Sequence, residues 1–248
     1  MKKNIYNNSR TLISDEITAQ SQGRAVSFYV DGFNIWGHLK TVIKNDPTWK
    51  PLKFCNLPKL ATFFIDNNKE FIHNRHFFTA YPDFADAGQR YRHRNYIKIL
   101  HEYCKMSIHN GKFKRNIDGT PREEKQTDVK LALQVITDVM VQKCEKIIIL
   151  SNDTDFVPLI QYIKDINEYN GIKTEIIFLI PPSAEPNKDI KNQLLSFYDI
   201  EVKTENYKII ENKYIYSLSR KHFDDSLLPD TIPNLLDDKN NPIKNPYI

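Results

Sequence analysis

Two apolar runs in this sequence are each followed by an aspartate, and these aspartates are well placed to do chemistry. Residues 25–30 lead directly into Asp31, and residues 146–151 are followed two positions later by Asp153. Buried parallel strands of an open α/β sheet deliver functional side chains at their carboxyl ends. Two such strand ends, brought side by side, predict a pocket for a hard metal cation.

A third aspartate, Asp128, begins a predicted helix over residues 127–143 whose apolar stripe must pack on the sheet. Asp128, Ala132 and Val135 share one face of this helix, so we expect the carboxylate to point toward the sheet. Converging carboxylates repel one another and persist mainly where a cation neutralises them. Oxygen ligands without Cys or His favour Mg²⁺ or Mn²⁺, and such an ion activates water and polarises a phosphodiester.

Four further polar residues accompany these acids. Asn34, in the predicted loop after the first strand, is placed to orient a substrate phosphate or a metal-bound water. Ser151 and Thr154 are placed to hydrogen-bond the metal ligands, and Asp155 is a fourth candidate acid. A different interpretation stays open, because Asp-Gly is a common turn and the Asp-Thr-Asp sequence is also suited to capping the following helix.

The elements that must position these residues alternate between short apolar runs and longer amphipathic stretches. Predicted strands cover residues 25–30, 75–81, 105–110, 146–151 and 174–180. Predicted helices cover residues 57–70, 86–104, 127–143, 155–169 and 188–200. This alternation is typical of βαβ units, and it predicts an α/β fold with a central, mainly parallel sheet of about five strands.

Three segments are predicted along the chain. Residues 1–24 form a polar leader, residues 25–204 the main domain, and residues 205–248 a C-terminal extension. Residues 207–216 are expected to give one further strand or turn. Beyond about residue 220 the chain is rich in Pro, Asn and Asp, which predicts an extended tail draped on the domain.

Bulk composition limits the class of protein. With 35 basic and 31 acidic residues, the net charge of +4 permits nucleic-acid binding without arguing for it. The three cysteines are widely spaced and form no C-x-x-C pair, which speaks against a zinc knuckle or a disulfide framework. No window approaches the roughly 18 consecutive apolar residues of a membrane span. We expect a soluble cytoplasmic protein with reduced thiols and no membrane partner.

Two clusters of basic residues are candidates for binding nucleic acid. They comprise Arg90, Arg94, Lys98, Lys112, Lys114 and Arg115. The first three share one face of a predicted helix that would track phosphates, and the others lie in the segment leading to Asp128. The alternative is a solvated amphipathic helix whose other face, with Tyr96, packs inward. Trp36 and Trp49 are expected to be packing residues rather than platforms for bases.

Three motifs carry a resemblance to a known family. They are residues 29–34 (Tyr-Val-Asp-Gly-Phe-Asn), 125–129 (Lys-Gln-Thr-Asp-Val) and 151–160 (Ser-Asn-Asp-Thr-Asp-Phe-Val-Pro-Leu-Ile). In this order and spacing they resemble the NYN domain, in the DUF88 or LabA-like branch of the PIN-like nuclease superfamily. The resemblance covers about residues 25–200. It implies a Rossmann-like, PIN-like three-layer fold and a ribonuclease that uses Mg²⁺ or Mn²⁺, with RNA as its partner.

The resemblance also implies roles for individual residues. Asp31, Asp128 and Asp153 match the family acids thought to hold the metal, while Asp155 and Asn34 match a further acid and the family asparagine of the catalytic set.

Two positions depart from the family pattern. Gln134 stands where the family has a second helix acid, and Asn152 stands where it usually has glycine. Asparagine tolerates left-handed backbone, so we expect the second change to be mild. The first keeps an alternative open, namely an RNA-binding module of weak or no catalytic activity. A phosphatase of the haloacid dehalogenase type is disfavoured, because Phe33 stands where that chemistry needs an acid. A homodimer is left open.

Overall fold

The computed structural model describes residues 23–82, 85–114, 123–141 and 143–245. Its strands are β1 (Arg24–Asp31), β2 (Glu70–Thr79), β3 (Ser107–Asn110), β4 (Lys112–Lys114), β5 (Glu123–Lys125), β6 (Lys146–Leu150), β7 (Glu175–Ile180), β8 (Ile215–Ser217), β9 (Thr231–Leu236) and β10 (Pro242–Lys244). Its helices are α1 (Gly32–Asn45), α2 (Leu57–Ala61), α3 (Ala87–Lys98), α4 (Thr127–Met140), α5 (Val157–Asn170), α6 (Lys188–Phe197), α7 (Tyr207–Lys213) and α8 (Arg220–Asp224).

A central sheet of six parallel strands has the order β3-β2-β1-β6-β7-β8. The order reverses at β1, because the chain builds β2 and β3 on one side and then crosses to β6 on the other. The predicted α/β fold with a mainly parallel sheet is thereby confirmed. The sheet has one strand more than expected, because β8 (Ile215–Ser217) overlaps the end of residues 207–216, where a strand or a turn was left open. The first part of that segment instead forms the helix α7 (Tyr207–Lys213).

Helices cover both faces of the sheet and make a three-layer fold. Phe28 and Val30 of β1 face one core, which also contains residues of α1 and α3. Tyr29, between them in the sequence, faces the other core, which α4, α5 and α6 enclose. This alternation follows from the two-residue period of a strand, and apolar side chains on both faces make β1 an interior strand.

Two helix predictions differ from the structure. Helix α1 begins immediately after β1, so Asn34 lies in a first helical turn rather than in a loop. Because Asp-Gly is typical of a turn, a loop was predicted here, although Ile35, Leu39 and Val42 are buried at helical spacing. The helix expected over 57–70 ends early, because α2 gives way to a 3₁₀ turn at Thr62–Phe64 and then to β2.

The C-terminal segment packs on the first core, as expected for a tail draped on the domain. Leu228, Ile232, Leu235 and Ile243 are buried there, and β9 and β10 pair as an antiparallel hairpin. The domain boundary at residue 204 stays a prediction, and the leader lies almost entirely outside the described residues.

Cys55, Cys104 and Cys144 are free and buried. Within the described ranges, none of the helices is both long enough and apolar enough to cross a membrane.

Gly32 permits the abrupt passage from β1 into α1. A Cβ at this position would lie 2.6 Å from the carbonyl oxygen of Phe78 and 2.8 Å from Cζ of Phe77. The carbonyl belongs to the backbone of β2 and cannot swing aside. The missing side chain therefore lets the start of α1 approach the neighbouring strand.

We expect Gly32→Ala to lower the free energy of unfolding by about 1–3 kcal/mol, because an overpacked site must shift its backbone. The matched control is Gly37→Ala in the same helix, where a Cβ meets no atom within 4 Å. That substitution should be neutral or stabilising by up to about 1 kcal/mol. Urea denaturation of both variants measures the difference, and equal stabilities would contradict the close-approach argument.

Candidate active site

The pairing of β1 with β6 places two of the predicted acids at one edge of the sheet. Val30 is in register with Leu150, so both strands end at the same level. Asp31 is only 3% exposed, and the hydroxyl of Ser151 donates a hydrogen bond of 2.9 Å to its Oδ2. The two strand ends that carry Asp31 and Asp153 thus lie side by side, the arrangement on which the predicted pocket depends.

Both strand-end aspartates cap the helical turns that follow them. Oδ1 of Asp31 accepts hydrogen bonds from the backbone N–H groups of Phe33 and Asn34, at 3.2 and 3.0 Å. Oδ1 of Asp153 accepts one from the N–H of Asp155, at 3.0 Å. The capping interpretation thus applies to Asp31 and Asp153, whereas Asp155 donates to the cap and is itself exposed. Capping orients both carboxylates.

Asn34 ties the two strand ends together. Its Oδ1 accepts a hydrogen bond of 3.0 Å from the backbone N–H of Asn152. Ser151 adds a second link, because its Oγ accepts from the N–H of Asp153 at 3.1 Å. The structure therefore shows Asn34 holding the loop that carries Asp153. Its contact with substrate stays a prediction, as does the contact of the exposed Thr154 with metal ligands.

Asn152 is a site residue whose role sequence reasoning missed. Its Oδ1 accepts from the N–H of Asn187 at 3.0 Å, and its Nδ2 donates to the carbonyl of Glu185 at 2.9 Å. It is not among the described residues with positive φ, so left-handed backbone is not what asparagine serves here. Its side chain joins the β6 loop to the segment before α6, a contact between distant parts of the sequence.

Three carboxylates converge on the carboxyl end of β1. The pKa of Asp31 is raised to about 6, chiefly by burial and also by the nearby charges of Asp128 and Asp153, while hydrogen bonds from Asn34 and Ser151 oppose the rise. Asp128 is half-buried in the first turn of α4. The predicted orientation of Asp128 toward the sheet agrees with its effect on Asp31. Like charges held this close favour either a proton or a cation between them.

A strained residue directs the chain into α4. Gln126 has a φ of 86° and precedes Thr127, where the helix begins. Left-handed backbone is costly for residues other than glycine, and such strain concentrates at functional sites. Here it turns the β4–β5 hairpin into the helix that carries Asp128.

The donor chemistry of the three acids suits Mg²⁺ or Mn²⁺. Within the described part of the chain, no group of three or more His, Cys, Asp or Glu side chains is arranged as a ready metal cage. Mg²⁺ seldom needs one, since it is commonly held by one or two carboxylates together with water and substrate phosphate. Asp31, Asp128 and Asp153 supply such oxygen ligands, and a cation would offset their mutual repulsion.

Gln134 and Asp138 belong to a different, buried polar network. The amide of Gln134 donates to Oδ1 of Asp138 at 3.1 Å, and the hydroxyl of Tyr29 donates to its Oδ2 at 2.8 Å. Nε2 of His76 lies 3.4 Å from the same oxygen. Burial raises the pKa of Asp138, but these neighbours outweigh it and hold the pKa below its usual range. The network commits Asp138 to the interior face of α4, where its carboxylate is taken up by Tyr29, Gln134 and His76.

The basic residues of α3 make contacts within the protein. Arg94 pairs with Asp238 at 2.8 Å, and Lys98 donates to the carbonyl of Leu236 at 2.7 Å. Both partners belong to the C-terminal hairpin, a contact that the sequence did not reveal.

The remaining basic candidates are distributed around this region. Arg90 donates to the carbonyl of Ala85 at 2.5 Å. Lys112 is exposed on β4, whereas the side chain of Lys114 and all of Arg115 lie outside the described residues. RNA contact by the six basic residues stays a prediction.

The family is assigned from a match over a long part of the sequence rather than from single motifs. The NYN domain family matches residues 50–201, more than half of the 248 residues. This chain belongs to the NYN domain family. The matched range contains Asp128, Asp153 and Asp155. Asp31 and Asn34 precede the matched range. The pairing of β1 with β6 places them beside the loop that carries Asp153.

Two further comparisons add a fold relative and a partial sequence relative. A crystal structure of a protein of unknown function from Vibrio parahaemolyticus superposes with a TM-score of 0.50 at 15% identity, over 84% of this chain and 98% of that one. At this identity the likeness shows the fold alone. The 6-hydroxy-3-succinoylpyridine 3-monooxygenase HspA of Pseudomonas putida is 31% identical over 83 residues, 34% of this chain. The match spans only 25% of that protein's length.

The raised pKa of Asp31 predicts how metal-free stability depends on pH. The folded pKa of about 6 exceeds the ordinary value of 3.8, so the folded state binds this proton more tightly than the unfolded state. Stability should therefore fall as the pH rises from about 4 to about 6, by up to about 3 kcal/mol. Asp31→Asn retains an oxygen that accepts from α1 and should lack this decline. Urea denaturation in EDTA measures both profiles.

The matched control for this experiment is Asp165→Asn, which alters an exposed carboxylate of α5. Its pH profile should follow that of the wild type. If the Asp31→Asn profile also ran parallel to the wild type across this range, Asp31 would not carry the buried, strained charge described above.

Proposed function

We propose that this protein is a metal-dependent ribonuclease that hydrolyses RNA phosphodiester bonds at Asp31, Asp128 and Asp153. The observation that carries the proposal is the buried carboxylate of Asp31 at the switch point of a parallel sheet, whose pKa is raised by burial first and then by the charges of Asp128 and Asp153. A divalent cation relieves this repulsion. Membership of the NYN family, which belongs to the PIN-like nucleases, supports the same chemistry.

The proposed division of labour follows from the geometry. A bound Mg²⁺ or Mn²⁺ would polarise the phosphodiester and acidify a water. Ser151 and the N–H groups at the start of α1 hold the carboxylate of Asp31 in one orientation. We assign Asp155, exposed at the first turn after Asp153, to accept a proton from the attacking water. Asn34 keeps the two strand ends together.

Several finer assignments belong to this proposal. We place the protein in the DUF88 or LabA-like branch because of the motifs around Asp31, Asp128 and Asp153. We take RNA as the substrate, the cytoplasm as the location and Mg²⁺ or Mn²⁺ as the cofactor. A homodimer stays a prediction.

A second candidate function is an RNA-binding module without catalysis. It is favoured by Gln134, whose amide is committed to Asp138 where the family has an acid. The two candidates differ in one respect, because only the ribonuclease requires the carboxylates to be ionised and paired with a metal.

Cleavage of labelled single-stranded RNA in Mn²⁺ tests the ribonuclease. We expect Asp128→Asn and Asp153→Asn each to lower the rate by at least about a hundredfold, because each removes a charge that would hold the metal. Asp165→Asn, an exposed substitution on α5, is the matched control and should cleave like the wild type.

Two outcomes would decide against the first candidate. Full cleavage by both Asp128→Asn and Asp153→Asn would show that the acids are not the active site. Gel-shift binding of RNA in EDTA, with no cleavage by the wild type in Mn²⁺, would instead establish the binding module.

A further inference from the structure

A cavity of about 430 Å³ lies next to the acidic centre. Phe33, two residues after Asp31, forms part of its wall, and Ala80, directly after β2, forms another part. Because β2 is the strand beside β1, the cavity occupies the same edge of the sheet as the acids. Its aromatic lining consists of Phe33, Trp36, Phe54, His93 and Phe113.

Three cations also line this cavity, and none of the described residues that line it is an acid. They are Lys40 of α1, Lys53 of the segment between α1 and α2, and Arg92 of α3. Burial lowers the pKa of Lys53, and the charges of Lys40 and Arg92 lower it further, so the three lie near one another. None of the three has an ion-pair partner among the described residues. Like charges gathered without a counter-ion favour an anionic ligand.

His93 supplies an independent indication of a ligand. Its ring is 5% exposed and lines the cavity, yet its Nδ1 has no hydrogen-bond partner in the described part of the protein. Burial and the charge of Lys53 lower its pKa to about 4, so the ring is neutral at pH 7. A buried polar atom without a partner is costly, and native proteins seldom leave one unless a water or a ligand completes it.

The shape of the lining favours a planar group. The rings of Trp36 and His93 meet edge to face with centroids 5.0 Å apart, and Nζ of Lys53 lies 5.8 Å from the Trp36 ring centre. Phe113 of the β4–β5 hairpin packs edge to face on Phe33 and closes one side. Aromatic faces beside cations are how proteins hold the base and phosphate of unpaired nucleotides.

We propose that this cavity is a subsite for one unpaired nucleotide of the RNA, next to the phosphodiester held at the acids. The aromatic rings contact the base, Nδ1 of His93 pairs with its polar edge, and Lys40, Lys53 and Arg92 bind the phosphate. The cavity is at the small end of ligand sites and holds a nucleotide rather than a base pair. This inference rests on the proposed ribonuclease function, and it specifies single-stranded RNA as the substrate.

Fluorescence of Trp36 tests the subsite without any cleavage. The chain has two tryptophans, and Trp49 packs on Phe223 outside the cavity, so Trp49→Phe leaves Trp36 as the only reporter. Titration with uridine and adenosine 5′-monophosphates in EDTA should give saturable quenching. Adding Lys40→Met should raise the Kd at least about tenfold, because one charged phosphate contact is lost.

The matched control is Lys44→Met, which removes the same charge from the exposed end of the same helix. Its Kd should equal that of the parent. Absence of saturable quenching, or an equal rise in Kd for Lys40→Met and Lys44→Met, would overturn the subsite. Both lysines are exposed, so thermal melts are expected to show folded variants.

The same experiment separates this inference from the function on which it rests. Suppose that Lys40→Met weakens nucleotide binding, that Lys44→Met does not, and that the wild type does not cleave RNA. This result would support the subsite and reject the ribonuclease. RNA cleavage by the wild type with no quenching of Trp36 would support the ribonuclease and reject the subsite. A fully paired RNA duplex that competes with the nucleotide as well as a single strand does would also reject it.

Discussion

This end of the protein depends on the hydrogen bonds that the buried carboxylate of Asp31 accepts. The carboxylate accepts them from the first turn of α1 and from Ser151 at the end of β6, so one buried group joins a strand, a helix and a neighbouring loop. That arrangement requires β1 and β6 to be adjacent, and it requires Gly32 to let α1 approach β2. The same contacts therefore determine both the packing at the sheet edge and the position of Asp31.

Burying that charge beside other carboxylates is unfavourable for folding alone. Hydrogen bonds to Asp31 offset part of the penalty, but its raised pKa shows that they do not remove it. Such strain is typical of sites that a ligand completes, and in the ribonuclease proposed above that ligand is a cation. The neighbouring cavity has the opposite sign, with Lys40, Lys53 and Arg92 around aromatic rings. Under the proposed function, an RNA strand carries both the phosphates and the bases that the acidic centre with a bound cation and the basic cavity would take.

Several features were visible only after the chain had folded. Asn34 was expected to contact substrate from a loop, yet it lies in α1 and binds the backbone of Asn152. Trp36 packs among buried aromatic residues, as expected, and its ring also lines the cavity. Arg94 and Lys98 of α3 contact the C-terminal hairpin, because the tail folds back over residues that are distant in sequence. Periodicity along one segment does not encode which distant segment will cover it.

The sequence by itself determined the alternation of strands and helices, the parallel sheet and the acids expected at its strand ends. These follow from local apolar runs that stop at aspartates and from rules that govern parallel sheets. Only the tertiary structure decided that Asp31 is buried, that Asn152 joins two loops, and that Nδ1 of His93, beside three cations, has no hydrogen-bond partner among the described residues. The physical reason is that burial, hydrogen-bond partners and electrostatic fields are properties of groups brought together from distant parts of the chain.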